Sequence, residues 1–215
     1  MSPLRRKLRP ASPRGAPASR GAAVLVALGV AAAAACAGGA DPFAVRAQFE
    51  TTLDTLVVYP LSGTELLLPS AVDLFGGTAV RPGLRGGAYP NFDFALDRNA
   101  QGQVVLYPSQ RVAVAPAGSP RVGFAVQTAA FDALTTAPRD GYRFDSLQVV
   151  ALGQTVAVES QGVSTQGVVC PSATSPMRAK LIVDSVARAT GAVHLRVRTN
   201  PNCGFRSLAP GLPTD

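Results

Sequence analysis

The sequence has few of the residues that most often perform catalysis or bind metals. It contains one histidine, three cysteines, two methionines and no tryptophan. A structural zinc site takes four clustered ligands, and one histidine with widely spaced cysteines supplies too little material. A Ser-His-Asp triad needs an imidazole buried between a serine and a carboxylate, but His194 shares its predicted strand face with Arg196 and Arg198. We therefore predict no metal, no cofactor and no histidine-based hydrolytic centre.

The carboxylates also form no recognisable site. Asp93 and Asp97 lie four residues apart on one face of a predicted strand, which favours a solvated edge, while Glu65 and Glu159 each stand alone. The segment DRNAQG, residues 97–102, opens like a calcium loop, but Pro108 occupies the twelfth position, where the bidentate glutamate belongs. We interpret this segment as a turn. The lack of tryptophan also weakens the case for a carbohydrate platform.

Positive charge is concentrated at the start of the chain. Of the 20 Lys and Arg residues, six precede residue 21, and no acidic residue occurs before Asp41. The remaining 14 basic residues are balanced by 13 acidic ones, although the whole chain carries a net charge of +7. Nucleic-acid binding needs a persistent basic cluster on one face. We therefore expect no nucleic-acid partner.

Residues 1–35 have the composition of an export signal. A basic segment is followed by an apolar run of 15 residues, Gly21 to Ala35, which ends in small residues. A helix that crosses a bilayer needs about 20 apolar residues. A basic region, a short apolar region and small residues at its end are the three parts of a secretory signal peptide. The sequence predicts removal of residues 1–35.

The residues at the end of that run carry a family resemblance. Ala33, Ala34, Ala35 and Cys36 resemble the lipobox of bacterial lipoproteins. The resemblance implies that Cys36 is lipidated and becomes the mature N-terminus, and that residues 36–44 form a flexible tether. The partner that it implies is a membrane, which the protein binds through the lipid on Cys36. It implies a location in the cell envelope, at the outer membrane or the periplasmic face. Ordinary signal cleavage with free secretion is the alternative.

Lipidation of Cys36 would leave Cys170 and Cys203. An even number of cysteines in an oxidising compartment favours a disulfide, and no CxxC motif indicates a redox site. We therefore predict a Cys170–Cys203 disulfide. If Cys36 is present and unmodified, the pairing stays open.

The rest of the chain reads as short strands. In residues 91–108 apolar residues alternate up to a turn at Asn99–Gly102, which predicts a hairpin. Residues 146–160 repeat the pattern around Gly153 and Gln154. In residues 192–199 Val193, Leu195 and Val197 share one face. Further β-like runs are TTLDTLVVYP (51–60), TELLLP (64–69), RVAVAP (111–116) and RVGFAVQT (121–128), and TAAFDALTT (128–136) could form one or two helical turns.

About eight to ten short strands separated by frequent turns predict an all-β fold. We expect one antiparallel β-sandwich domain over residues 45–210, immunoglobulin-like or jelly-roll-like, followed by a tail at 211–215; a small β-barrel is the alternative. The leading functional hypothesis is a non-enzymatic envelope lipoprotein with a structural or binding role. The alternatives are a secreted ligand- or glycan-binding module that uses the Gly/Pro loop at residues 81–90, and an unrecognised hydrolase.

Overall fold

A computed structural model describes residues 46–85, 89–113, 121–161, 170 and 175–214 of the chain. The predicted signal peptide, Cys36 and the tether lie outside these residues. The residues from Arg46 onward belong to one compact unit. Among the described residues no helix is long and apolar enough to cross a membrane.

One five-stranded antiparallel sheet contains the first strand and most of the later ones. Its spatial order is β1, β12, β11, β10 and β8. The strands are β1 (Thr52–Val58), β8 (Val122–Val126), β10 (Thr155–Ser160), β11 (Met177–Val186) and β12 (Val193–Asn200).

A second five-stranded antiparallel sheet packs against the first and has the order β3, β2, β6, β7 and β9. Its strands are β2 (Ala71–Asp73), β3 (Thr78–Val80), β6 (Phe94–Arg98), β7 (Val104–Pro108) and β9 (Gln148–Val150). The short strands β4 (Leu84–Arg85) and β5 (Tyr89–Pro90) pair separately, and α1 (Ser109–Val112) is a single helical turn. The predicted sandwich is confirmed, and the sheets do not close into the alternative barrel.

The core lies between the two sheets and follows from the period-2 pattern of their strands. Val193, Leu195 and Val197 of β12 are buried, as the alternation predicted, while His194 and Arg196 on the other face are partly exposed. Successive side chains of a strand point to opposite faces, so such a pattern aims one set inward.

Aromatic side chains join the two inner faces. Phe94 of β6 and Phe124 of β8 are fully buried, and their rings meet edge to face with centroids 5.8 Å apart. Such pairs are favourable because the positive edge of one ring meets the negative face of the other. The inner faces therefore interdigitate as in other sandwiches.

The outer face of the first sheet is also partly covered. Residues 127–147 cross over it, and Leu134 and Ala137 pack against Ala125 and Ala157, which point outward from β8 and β10. Lys180 of β11 donates from Nζ to the carbonyl oxygens of this segment. Because residues 127–147 cover the outer face of the first sheet, polar side chains on that face are buried too. A simple alternation of buried apolar and exposed polar residues does not predict this.

A disulfide joins Cys170 to Cys203, whose Cα atoms are 5.4 Å apart. Cys203 follows the last residue of β12 by three positions, and Cys170 packs with the core. The predicted Cys170–Cys203 pairing is confirmed.

Two of the predicted strands are wrong. In the RVAVAP run, Arg111 and Val112 belong to α1, while residues 114–116 lie outside the described residues. The TELLLP run forms a turn, closed by the amide of Leu68 donating to the carbonyl of Glu65 at 3.0 Å. Leu66 and Leu67 are 95% and 73% exposed, so these side chains gain no burial that would favour a strand.

The second predicted hairpin also differs in the structure, whereas the segment predicted to form one or two helical turns does form one. The turn at Gly153 and Gln154 joins β9 of the second sheet to β10 of the first, because both edges of β10 already pair with β8 and β11. TAAFDALTT forms one turn with helical hydrogen bonds, because the amides of Ala133 and Leu134 donate to the carbonyl of Ala130 at 3.0 and 3.1 Å.

The prediction of a solvated edge at Asp93 is wrong. Asp93 is buried, and its carboxylate accepts hydrogen bonds from the Leu74 amide and the Ser160 hydroxyl. Asp97, four residues later, is only partly buried. The equal spacing does not give equal environments, because Asp93 precedes β6 and turns toward the neighbouring sheet.

Candidate ligand-binding end of the sandwich

Four chain connections meet at one end of the sandwich. Val58 at the end of β1 pairs with Val193 at the start of β12, Arg98 pairs with Val104, and Val104 pairs with Val150. These pairings bring together the connections at residues 59–70, 99–103, 151–154 and 187–192. Loops carried on a rigid scaffold are a common location for binding sites.

Two of these connections depend on glycine. Gly102 has φ +76° and Gly191 has φ +72°, a region that is costly for residues with a Cβ. In the first turn the side chain of Asn99 accepts hydrogen bonds from the amides of Gln101 and Gln103. The turn predicted at Asn99–Gly102 is confirmed, and its asparagine and glycine are explained by backbone geometry.

The connection after β1 is held against the end of β6 by Asp97. The Ser62 hydroxyl donates to Asp97 Oδ2 at 2.6 Å, and the Ser62 amide donates to Oδ1 at 3.2 Å. The amide of Arg98 also donates to Oδ1, at 2.8 Å. Both carboxylate oxygens are therefore engaged in positioning this connection.

A polar cleft of about 490 Å³ opens among these connections. Its walls come from the β1–β2, β6–β7 and β11–β12 connections. The described residues that line it are Pro60, Ser62, Gly63, Thr64, Asp97, Arg98, Asn99, Ala100, Gly102, Arg188, Ala189, Thr190 and Gly191.

An apolar cleft of about 360 Å³ adjoins it, where the chain passes from β9 to β10. Its apolar wall combines buried valines with Leu152, which is 62% exposed. The residues that line it are Arg98, Gln101, Gly102, Gln103, Val104, Val150, Ala151, Leu152, Val186 and Arg188. Both volumes fall in the range of small-molecule sites, roughly 300–1,000 Å³.

Arg98 and Arg188 line both clefts. Nε of Arg98 donates to the Gly102 carbonyl at 3.3 Å, and its Nη1 would lie 3.6 Å from a Cβ placed on Gly191. Among the described residues neither arginine forms a salt bridge with a carboxylate. Two exposed guanidinium groups therefore lie between a polar and an apolar surface, where they are available to an anion.

Of the predicted ligand loop at residues 81–90, none of the described residues lines either cleft. Its described residues include the short strands β4 and β5, and the side chain of Asn91 fixes the start of the loop. That side chain accepts a hydrogen bond from the Gly83 amide at 2.8 Å and donates to the Arg81 carbonyl at 3.2 Å. Residues 86–88 lie outside the described residues.

The sequence suggested that Glu159 stands alone, but in the structure it has a charged partner. It is buried and forms a salt bridge with Arg178, with Oε2 2.8 Å from Nη2 and 2.9 Å from Nε. Burial raises the pKa of the Glu159 carboxyl, and the Arg178 charge opposes this rise. Burial also raises the pKa of the Tyr142 hydroxyl, whose ring lies beside the Arg178 guanidinium. Glu159 and Arg178 lie beneath residues 127–147, to which Tyr142 belongs, and away from the clefts.

His194 and Glu65, the remaining positions considered in the sequence, lie outside the clefts. His194 is partly exposed on the outer face of the first sheet, and neighbouring Arg196 forms a salt bridge with Asp184 at 2.9 Å. Glu65 is exposed in its turn. In the part of the chain that the structure describes, no group of three or more His, Cys, Asp or Glu side chains is placed to hold a metal.

The sequence did not identify Arg98 and Arg188 as a pair. Arg98 precedes the turn glycine Gly102 by four positions, and Arg188 precedes Gly191 by three, so basic residues just before turn glycines were the available signal. Ninety residues separate them, and only the pairing of the strands brings their turns together.

Comparison with known proteins gave no match to a family model, a curated protein or a solved structure. The fold and the two clefts therefore define the class, an antiparallel β-sandwich with a candidate binding end.

Proposed function

We propose that this chain is an exported protein that a lipid on Cys36 anchors in the cell envelope, and that it binds a ligand without catalysing a reaction. The signal-like leader and the lipobox-like residues support export and anchoring. The single observation that supports a binding role is the meeting of two clefts at Arg98 and Arg188.

The surroundings of Asp97 support a non-enzymatic role. Among the described residues that line the clefts, Asp97 carries the one carboxylate. General acid–base catalysis in which one group donates a proton and another accepts it needs two titratable groups in reach of the substrate. Asp97 has no second carboxylate or histidine beside it among these lining residues, and it accepts three hydrogen bonds from Ser62 and Arg98. Its position is explained by the folding of the β1–β2 connection.

The side chain of Asn202 holds two of the first described residues of the chain. The amides of Gln48 and Phe49 donate to the side chain of Asn202, at 2.7 and 3.0 Å. Asn202 follows β12 at the end of the sandwich opposite the clefts. Gln48 and Phe49, among the first described residues, therefore lie at the end of the sandwich opposite the clefts.

Fractionation of a bacterial host that expresses the full chain tests this proposal. We expect the wild-type protein in the envelope membrane fraction and the Cys36→Ser variant in the soluble exported fraction. Ala40→Ser, a change of similar size in the tether, should leave the protein with the membranes. Membrane retention of Cys36→Ser, or a protein that stays in the cytoplasm, would contradict the proposal.

A further inference from the structure

The polar and apolar clefts share Arg98 and Arg188, so a ligand that fills both needs an anionic part and an apolar part. We propose that the cleft end binds an acidic amphiphile, a molecule with a phosphate or carboxylate head and one apolar chain. This inference rests on the proposed binding role of that end. The head lies between Arg98 and Arg188, and the chain lies along the apolar cleft.

The head-group site follows from the charges of the polar cleft. Arg98 and Arg188 give this cleft two positive charges against the one negative charge of Asp97, whose carboxylate is hydrogen-bonded to Ser62. Guanidinium groups bind phosphate and carboxylate oxygens with paired, charge-assisted hydrogen bonds. Arg98 is held at the Gly102 turn through Nε. Its Nη2 lies beside Gly102, and its Nη1 lies toward the turn at Gly191.

The chain site follows from the residues of the adjoining cleft. Val104 and Val150 form its buried floor, Leu152 extends its wall, and Val186 reaches it from β11. An exposed leucine beside buried valines leaves apolar surface in contact with water, and covering this surface with a hydrocarbon chain is favourable. Because Arg98 and Arg188 line this cleft too, a head bound to them places its chain at the entrance of the apolar cleft.

The geometry favours one molecule in the clefts over a bilayer surface. Leu66 and Leu67 protrude from the β1–β2 connection at the same end, but they directly follow Glu65, which an anionic bilayer repels. The apolar cleft, in contrast, is concave and has an arginine at its boundary with the polar cleft. The occupant is therefore a single amphiphile.

Titration with alkyl phosphates tests this inference. Residues 46–215 form a compact unit with its own core and disulfide, and this segment is titrated with hexyl and octyl phosphate, as monomers, by isothermal calorimetry and amide NMR. Inorganic phosphate and octyltrimethylammonium are the comparison probes. We expect saturable binding of octyl phosphate, with affinity roughly tenfold above that of hexyl phosphate, since each buried CH₂ contributes about 0.8 kcal/mol. Inorganic phosphate should bind at least tenfold more weakly, and the cationic probe should not bind.

Matched variants separate the two halves of the site. Arg188→Gln and Leu152→Ser should each weaken octyl phosphate binding by at least fivefold. Arg139→Gln and Leu53→Ser replace exposed residues of the same types elsewhere and should leave the affinity unchanged. Native-like amide spectra of all four variants will show that the sandwich is intact.

Three results would overturn the inference. Equal affinity for inorganic, hexyl and octyl phosphate would show an anion site without a chain site. No binding of octyl phosphate or of octanoate, its carboxylate counterpart, would rule out an acidic amphiphile as the ligand. Binding to phosphatidylglycerol vesicles that is lost in Leu66→Ser/Leu67→Ser, without binding of monomeric octyl phosphate, would show a bilayer surface instead. The first result would leave the proposed binding role in place, and the fractionation of Cys36→Ser tests the anchor independently.

Discussion

The hydroxyl of Ser160 donates a hydrogen bond to the carboxylate of Asp93 and thereby links the two sheets of the sandwich. Ser160 ends β10 of the first sheet, and Asp93 immediately precedes β6 of the second. Both side chains are buried, and the second oxygen of Asp93 accepts the Leu74 amide at 2.7 Å. A buried carboxylate is tolerated only with such partners.

Replacing Asp93 with leucine should destabilise the domain strongly. The change removes the acceptor of a buried amide and a buried hydroxyl, and each unsatisfied group costs about 1–3 kcal/mol. We expect a loss of roughly 3 kcal/mol in the free energy of unfolding, measured by urea denaturation. Asp145→Asn, which breaks an exposed salt bridge with Arg121, should cost less than about 1 kcal/mol. Equal effects of the two variants would contradict this role for Asp93.

The Glu159–Arg178 salt bridge should be more sensitive to loss of one partner than to loss of both. Glu159→Gln leaves the buried Arg178 charge without its counter-ion, which costs about 3–5 kcal/mol. The double variant Glu159→Leu/Arg178→Met removes both charges and should lie much closer to the wild-type stability. Urea unfolding of the single and double variants measures the difference. A double variant that is less stable than Glu159→Gln would contradict this account.

Lys180 should give the domain a measurable pH dependence. Its ammonium group is buried and donates to the carbonyl oxygens of Phe131 and Leu134, at 2.6 and 2.9 Å. Burial lowers its pKa from the ordinary 10.5, and Arg198 adds to this shift, whereas Asp132 opposes it. Between the lowered pKa and 10.5 the unfolded chain binds more protons, so stability rises with pH.

Removing the ammonium group should abolish that rise. We expect the stability difference between wild type and Lys180→Met to grow in favour of wild type as the pH approaches 10 from below. Urea unfolding at pH 8, 9 and 9.8 measures this difference. These pH values lie below the ordinary pKa of tyrosine, so ionisation of tyrosines contributes little. A difference that is constant, or that shrinks with pH, would show that the Lys180 pKa is not lowered in the folded state.

Loss of the Cys170–Cys203 disulfide should destabilise the folded domain. In the chain-entropy model, closing a loop with a sequence separation of 33 contributes roughly 3.5–4 kcal/mol through the unfolded state. Cys170→Ser/Cys203→Ser should lower the free energy of unfolding by about this amount, and reduction of the wild type should raise its mass by about 2 Da. Free thiols in protein from an oxidising compartment would contradict the pairing.

The strand pattern predicted the sandwich where one face of a strand is buried and the other is exposed. Val193, Leu195 and Val197 fit that case. The pattern failed for Glu159, which is buried on the covered outer face of the first sheet and pairs with Arg178 of the neighbouring strand. It failed as well for Asp93, which precedes β6 and accepts a hydrogen bond from Ser160 of the other sheet. It also failed for Leu66 and Leu67, since β propensity does not decide whether a neighbouring strand is available to pair.

The candidate binding end was less accessible to prediction than the fold. Arg98 was visible as the residue before a predicted turn, but nothing local relates it to Arg188. Their proximity arises from the order of the strands, which periodicity does not determine. The turn at Gly153 illustrates the same limit, because the local sequence predicts a tight turn without specifying that it connects two sheets.

Export and lipid anchoring at Cys36 are tested by the intact mass of the full-length gene product recovered from a bacterial membrane fraction. We expect a chain that begins at Cys36, carries the added mass of acyl groups and contains one reducible cysteine pair. A chain without acyl groups, cut at another residue or still carrying residues 1–35, would contradict this expectation.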